Sequence, residues 1–122
     1  MREALALYTV ALAVADRLGE QVPAARVMAI RRTCADLLYA VGDYSDSRRE
    51  AEHLLSLARR VGDRPSEAGA LVQSAWATVW MEDFPGGLAR AAEAIAVGEA
   101  AGAEPALAGA LHVIPRAEVN DG

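Results

Sequence analysis

Few side chains in this chain can do bond chemistry. There are two histidines, His53 and His112, far apart in the sequence, one cysteine, Cys34, and no lysine. A cysteine nucleophile needs an electropositive niche that holds the thiolate. Cys34 has no histidine near it in sequence and reads as a packing residue. His53 falls mid-helix, one turn after Arg49, on an expected outer face. Glu50 and Glu52 are two apart, so they diverge on a helix and make no metal pair, while Arg48 and Glu52 have the spacing of an ordinary surface ion pair. The run Arg48-Arg49-Glu50-Ala51-Glu52 is expected to be a solvated face. Walker, nucleophile-elbow and zinc-protease strings are absent, and without lysine neither a phosphate-cradling Walker lysine nor a Schiff base can form. The expectation is a chain that is not an enzyme and holds no cofactor and no metal. Recognition chemistry is better supplied. Trp76 and Trp80 are one helical turn apart and share one helix face, and tryptophan and arginine dominate contact surfaces.

The composition of the 122 residues narrows the class. Net charge −5 argues against nucleic acid, which needs a basic stripe. A single cysteine excludes a disulfide framework within the chain. No apolar run reaches the roughly 18 residues of a membrane span. The apolar stretch at the N-terminus is short and ends in Asp16-Arg17, which disfavours a signal peptide. A cytoplasmic protein is expected. All twelve basic residues are arginine and alanine is by far the commonest residue, a bias typical of a GC-rich bacterial genome.

Alanine, arginine and glutamate favour helix. Gly19, Gly62 and Gly102 each close an apolar-periodic stretch, and Pro23, Pro65 and Pro105 follow them. Glycine past a helix end and proline in the next first turn is the usual asymmetry. VGDYSDS (41–47) and MEDFPGG (81–87) break the chain between them. Helices are therefore predicted at 3–18, 23–41, 45–61, 65–81, 85–101 and 105–114, with Asp43 and Asp83 as N-caps and no strands. The shift that lays Ala35 on Ala75 also lays Gly42-Asp43-Tyr44 on Glu82-Asp83-Phe84. A helix pair repeating at that interval is the signature of an α-solenoid.

The segment 35–58 resembles a tetratricopeptide repeat. Ala35, Leu38, Gly42 and Tyr44 fill its small, apolar, glycine and aromatic places, and Ala51, Leu54 and Ala58 continue along the second helix. In the next unit Ala75 and Phe84 fit, whereas Thr78 and Glu82 depart from the pattern. The unit is longer than the common one of about 34 residues. It is similar to the arrays of bacterial signalling ATPases, transcription regulators and nucleotide cyclases. The resemblance implies an all-α, right-handed solenoid of antiparallel helix pairs over residues 1–114. It divides into a half-pair (3–18), pairs 23–61 and 65–101, and a half-pair (105–114), followed by a tail (115–122).

In such arrays the first helix of each pair lines an inner groove. That places Arg32, Val72 and His112 at one inward position, Asp36, Trp76 and Arg116 at the next, and Tyr39 and Val79 at a third with Trp80 beside it. Pro115 is expected to end the last helix before Arg116. The implied function is a protein- or peptide-binding scaffold, a regulatory or sensor segment of a larger bacterial protein. Both end helices look like interior pieces. The first carries Leu5, Leu7, Tyr8, Val10, Leu12, Val14 and Leu18, and the last carries Leu107, Leu111, Val113 and Ile114. Hence the second expectation, a structural element that self-associates through its end helices as a homo-oligomer.

Overall fold

The computed structural model describes residues 2–121. It is all-helical among those residues: α1 (Arg2–Leu18), α2 (Ala24–Ala40), α3 (Tyr44–Val61), α4 (Arg64–Trp80), α5 (Phe84–Ala101) and α6 (Glu104–Asp121), with a 3-10 turn at Gly19–Gln21. Every helix end agrees with the sequence pattern to within a single position, except the last. Residues 115–121 are not a tail but continue α6, straight through Pro115; Gly122, the last residue of the expected tail, lies outside the described residues, as does Met1. Proline removes one helical hydrogen bond and crowds the preceding turn. Here Val113 and Ala117, on either side of it, are fully buried in a cluster with Ala75, Val79 and Ala91, and that burial holds the helix together.

Aspartate caps set the starts of α3, α4 and α5. Asp43, Asp63 and Asp83 accept the backbone N–H groups of Asp46, Ser66 and Gly86 respectively. This satisfies one of the donors that every helix start leaves over. The turns after α2 and α4 share most of their backbone bonds. Asp43 N–H donates to the Leu38 carbonyl and Asp83 N–H to the Thr78 carbonyl, at 2.9 and 3.1 Å. The period of the sequence is thus a period of the backbone.

Each helix packs on its neighbours in sequence. The even-numbered helices also touch one another, α4 and α6 more closely than α2 and α4, whereas α1, α3 and α5 do not pack comparably among themselves. Small side chains permit the close approach. Ala35, Ala51, Ala58, Ala75, Ala91 and Ala94 are at most 1% exposed. The Ser47 hydroxyl of α3 donates to the Ala35 carbonyl of α2 at 2.8 Å. One period on, Gly87 of α5 lies so close to α4 that an added Cβ would strike the Val79 side chain. The larger core residues Met28, Leu54, Leu55 and Leu71 fill the space between α2, α3 and α4.

Arginine–carboxylate pairs lace the outer layer. Arg31 of α2 bridges Asp16 of α1 and Glu50 of α3, at 3.4 and 2.8 Å. Arg59 of α3 joins Glu67 of α4 and Glu93 of α5. Arg90 of α5 joins Glu93 and also Glu52 of α3. The 48–52 run is therefore not simply solvated. Glu52 is paired with Arg90 and not with Arg48, and Ala51 is fully buried. The more exposed of these pairs, such as Arg59 with Glu93, contribute about 0–1 kcal/mol each. Glu67 differs, since its side chain is 7% exposed and held between Arg59 and Arg64.

Candidate functional site

A cleft of about 270 Å³ opens between α2 and α4. Asp36 and Tyr39 of α2 and Val72, Gln73 and Trp76 of α4 form its walls, with Ala35 and Ser47 also contributing. The internal repeat explains why it opens here. Val72 of α4 meets Gly109 of α6 so closely that a Cβ on the glycine would lie 2.8 Å away. One period earlier the same places are held by Arg32 and Gly69, and nothing lies within 4 Å of a Cβ at Gly69. The α4–α6 seam is closed and the α2–α4 seam is left ajar.

Gln73 spans the gap. Its Nε2 donates to Asp36 Oδ1 at 2.7 Å and to the Arg32 carbonyl at 3.1 Å. Its Oε1 is buried without a protein hydrogen-bond partner. The Arg32 guanidinium donates to the Ser66 hydroxyl of α4 at 3.2 Å. An aromatic series continues from the cleft. Tyr39 meets Tyr44 edge-on with centroids 5.4 Å apart, and Tyr44 stacks on Trp80 at 6.0 Å. The Arg116 guanidinium lies 4.3 Å over the Trp80 ring, within cation–π range. Burial pushes the Tyr39 phenol above its ordinary pKa, and the nearby Trp80 indole opposes that rise.

Asp36, Tyr39, Val72 and Trp76, assigned to an inner groove from sequence, are therefore brought together around one cleft. Arg32 flanks it through its carbonyl. Trp80 adjoins it through the aromatic series and is 39% exposed. Two assigned residues lie elsewhere. Val79 is 2% exposed and belongs to the core, because it fills the space that Gly87 leaves on α5. His112 is exposed and does not line the cleft. Sequence spacing assigns neither Gln73 nor Tyr44 to the groove; a lone glutamine beside Val72 and Trp76 is the available signal for the former. Arg116 reaches the Trp80 ring because α6 does not stop at Pro115.

Cys34 is buried, and burial followed by the nearby Glu50 carboxylate raises its thiol pKa. That is the environment of an inert thiol, not of a nucleophile. Among the described residues no three histidine, cysteine, aspartate or glutamate side chains gather where they could hold a metal ion. Among the same residues no helix is long and apolar enough to cross a membrane. A second, more polar cleft of about 890 Å³ lies among α1, the 3-10 turn, α2 and α3; Asp16, Arg31, His53 and Arg60 are on its wall.

A scan against protein-family models finds no match, and searches of the curated proteins and of the solved structures find none either.

Proposed function

We propose that the chain is a tetratricopeptide-like binding module, a right-handed stack of helix pairs whose α2–α4 cleft takes a peptide segment of a partner protein. The backbone period, the repeated caps and the adjacency of α2, α4 and α6 support the array. One observation carries the binding assignment: an apolar and aromatic cleft, walled by Val72, Trp76 and Tyr39, has a glutamine in its wall with a buried, unpaired oxygen. An unpaired buried acceptor costs about 1–3 kcal/mol, and a small shift of the Gln73 side chain that turns this oxygen toward a donor on an entering ligand would relieve that cost. Apolar side chains of the ligand would lie against Trp76 and Tyr39, as in most small sites where a few polar groups fix orientation. No bond chemistry is involved. On this reading the module is a regulatory or sensor segment of a larger bacterial protein and works in the cytoplasm; the lysine-free, alanine-rich composition supports the bacterial source.

The test is a panning of random peptides of about a dozen residues, long enough to span such a cleft when extended. Peptides enriched on the native chain should bind Gln73→Ala at least about tenfold more weakly. Equal affinity for the two proteins would discard the cleft as the binding site.

A further inference from the structure

Among the described residues, the two most exposed large apolar side chains stand at opposite ends of the helix series. They are Leu7 on α1, 68% exposed, and Leu111 on α6, 60% exposed. The internal repeat relates them. Gly19, Gly62 and Gly102 close α1, α3 and α5, so α1 falls on α3 when Gly19 is laid on Gly62. Burial obeys the same shift, since Leu12 and Ala15 are buried like Leu55 and Ala58. Likewise α6 falls on α4 and α2, one and two periods back, with Ala108 on Ala68 and Met28. In this register Leu7 takes the place of Glu50, and Leu111 takes the place of Arg31. Arg31 and Glu50 face each other across the α2–α3 contact, 2.8 Å apart.

The surroundings of both leucines lack a cover that their counterparts have. Ser47, Ala51 and Leu54 of α3 are buried against α2 and α4, whereas Ala4, Tyr8 and Ala11 in the same places on α1 are half-exposed. Met28 of α2 and Ala68 of α4 are buried, whereas Ala108 in the same place on α6 is exposed. One chain thus carries both halves of an α2–α3 type contact, apolar opposite apolar and in matching register, at its two ends.

We propose that a second copy of this chain completes the contact: α6 of one copy docks on α1 of the next, and Leu111 meets Leu7 where Arg31 meets Glu50 within each copy. Such a contact is head-to-tail and leaves one free α1 and one free α6, so association propagates past the dimer. The α2–α4 cleft takes no part, and peptide binding and self-association can fail separately.

Sedimentation velocity over about 10 μM to 1 mM protein tests this, a range that brackets weak to moderate contacts. The expected result is a mass that grows with concentration beyond two copies. Leu7→Glu and Leu111→Arg should each weaken association about tenfold or more. Their circular dichroism should stay native, because both side chains are exposed. Leu7→Glu with Leu111→Arg in one chain should restore association, now weakened by salt, because the pair reproduces the Arg31–Glu50 bridge across the contact. A native chain that stays monomeric or stops at a dimer overturns the proposal. So does association that Leu7→Glu leaves intact, or a double variant no better than the singles.

Discussion

Gly42 and Glu82 stand one repeat apart and hold the same left-handed backbone position, at φ 85° and 66°. Glutamate is the residue that departs from the repeat pattern in sequence, yet the backbone keeps the period. The turn is set by the aspartate cap that follows and by the packing of the helices on either side, and the side chain is carried through it under strain. A non-glycine residue in this region costs about 1–2 kcal/mol relative to the right-handed form. Glu82→Gly should therefore raise stability by about 0.5–1 kcal/mol, and Gly42→Ala should lower it by about 1 kcal/mol. Thermal or urea unfolding of the two variants checks both signs.

Gly69 and Gly109 form another such pair, one open and one closed. Gly69→Ala adds a methyl group to empty space in a helix interior, and should stabilise by about 0.5–1 kcal/mol. Gly109→Ala drives a Cβ against Val72 and should destabilise by about 1–3 kcal/mol, as overpacking does. Gly87→Ala should behave like Gly109→Ala, since it meets Val79. Equal effects at positions 69 and 109 would contradict the difference between the two seams.

Asp63 gives the fold a dependence on acid. Its carboxylate accepts the Ser66 hydroxyl and the Ser66 N–H, at 2.7 and 3.1 Å, and these bonds hold its pKa below the ordinary 3.8. The folded chain therefore binds this proton less readily than the unfolded chain. The stability it supplies is complete above the ordinary value and drains away as pH falls through the folded one. Asp63→Asn keeps an acceptor but cannot titrate. The stability difference between native chain and variant should be flat near neutral pH and shrink on acidification, in urea titrations at a series of pH values. Asp63→Ala loses the cap as well, at about 1 kcal/mol.

The two tryptophans should report different surroundings. Trp76 is half-buried and packs against the core, whereas Trp80 is 39% exposed between Tyr44 and Arg116. Trp80→Phe leaves Trp76 as the only indole and should emit to the blue of Trp76→Phe. Acrylamide should quench the Trp76→Phe protein more strongly. Arg116→Ala should move the emission of Trp80 and leave that of Trp76 in place.

The helices were legible because alanine-rich stretches punctuated by glycine, proline and capping aspartate leave little choice of boundary. Pro115 misled because local chemistry forecast a stop, and the burial of Ala117 just beyond it outweighs one lost hydrogen bond. Counting by the period gave Asp36 and Trp76 equivalent inward places, and both line the cleft, whereas Val79 lies in the core. The count assumes equal spacing between pairs, and Gly87 in place of Ser47 lets α5 approach closely enough for Val79 to sink into the core. The opening of the α2–α4 seam was likewise invisible. It depends on how closely the neighbouring helix approaches Gly69 and Gly109, and a glycine at both places conceals that difference in spacing.

The proposed entry of ligand between α2 and α4 is tested most directly by amide and methyl chemical shifts of the native chain, titrated with a peptide enriched by panning. The expected footprint falls on Asp36, Tyr39, Val72, Gln73 and Trp76, with the Gln73 side-chain amide among the largest changes. A footprint on the α1–α3 cleft around His53 and Arg60, or on the end helices with Gln73 unmoved, would contradict it.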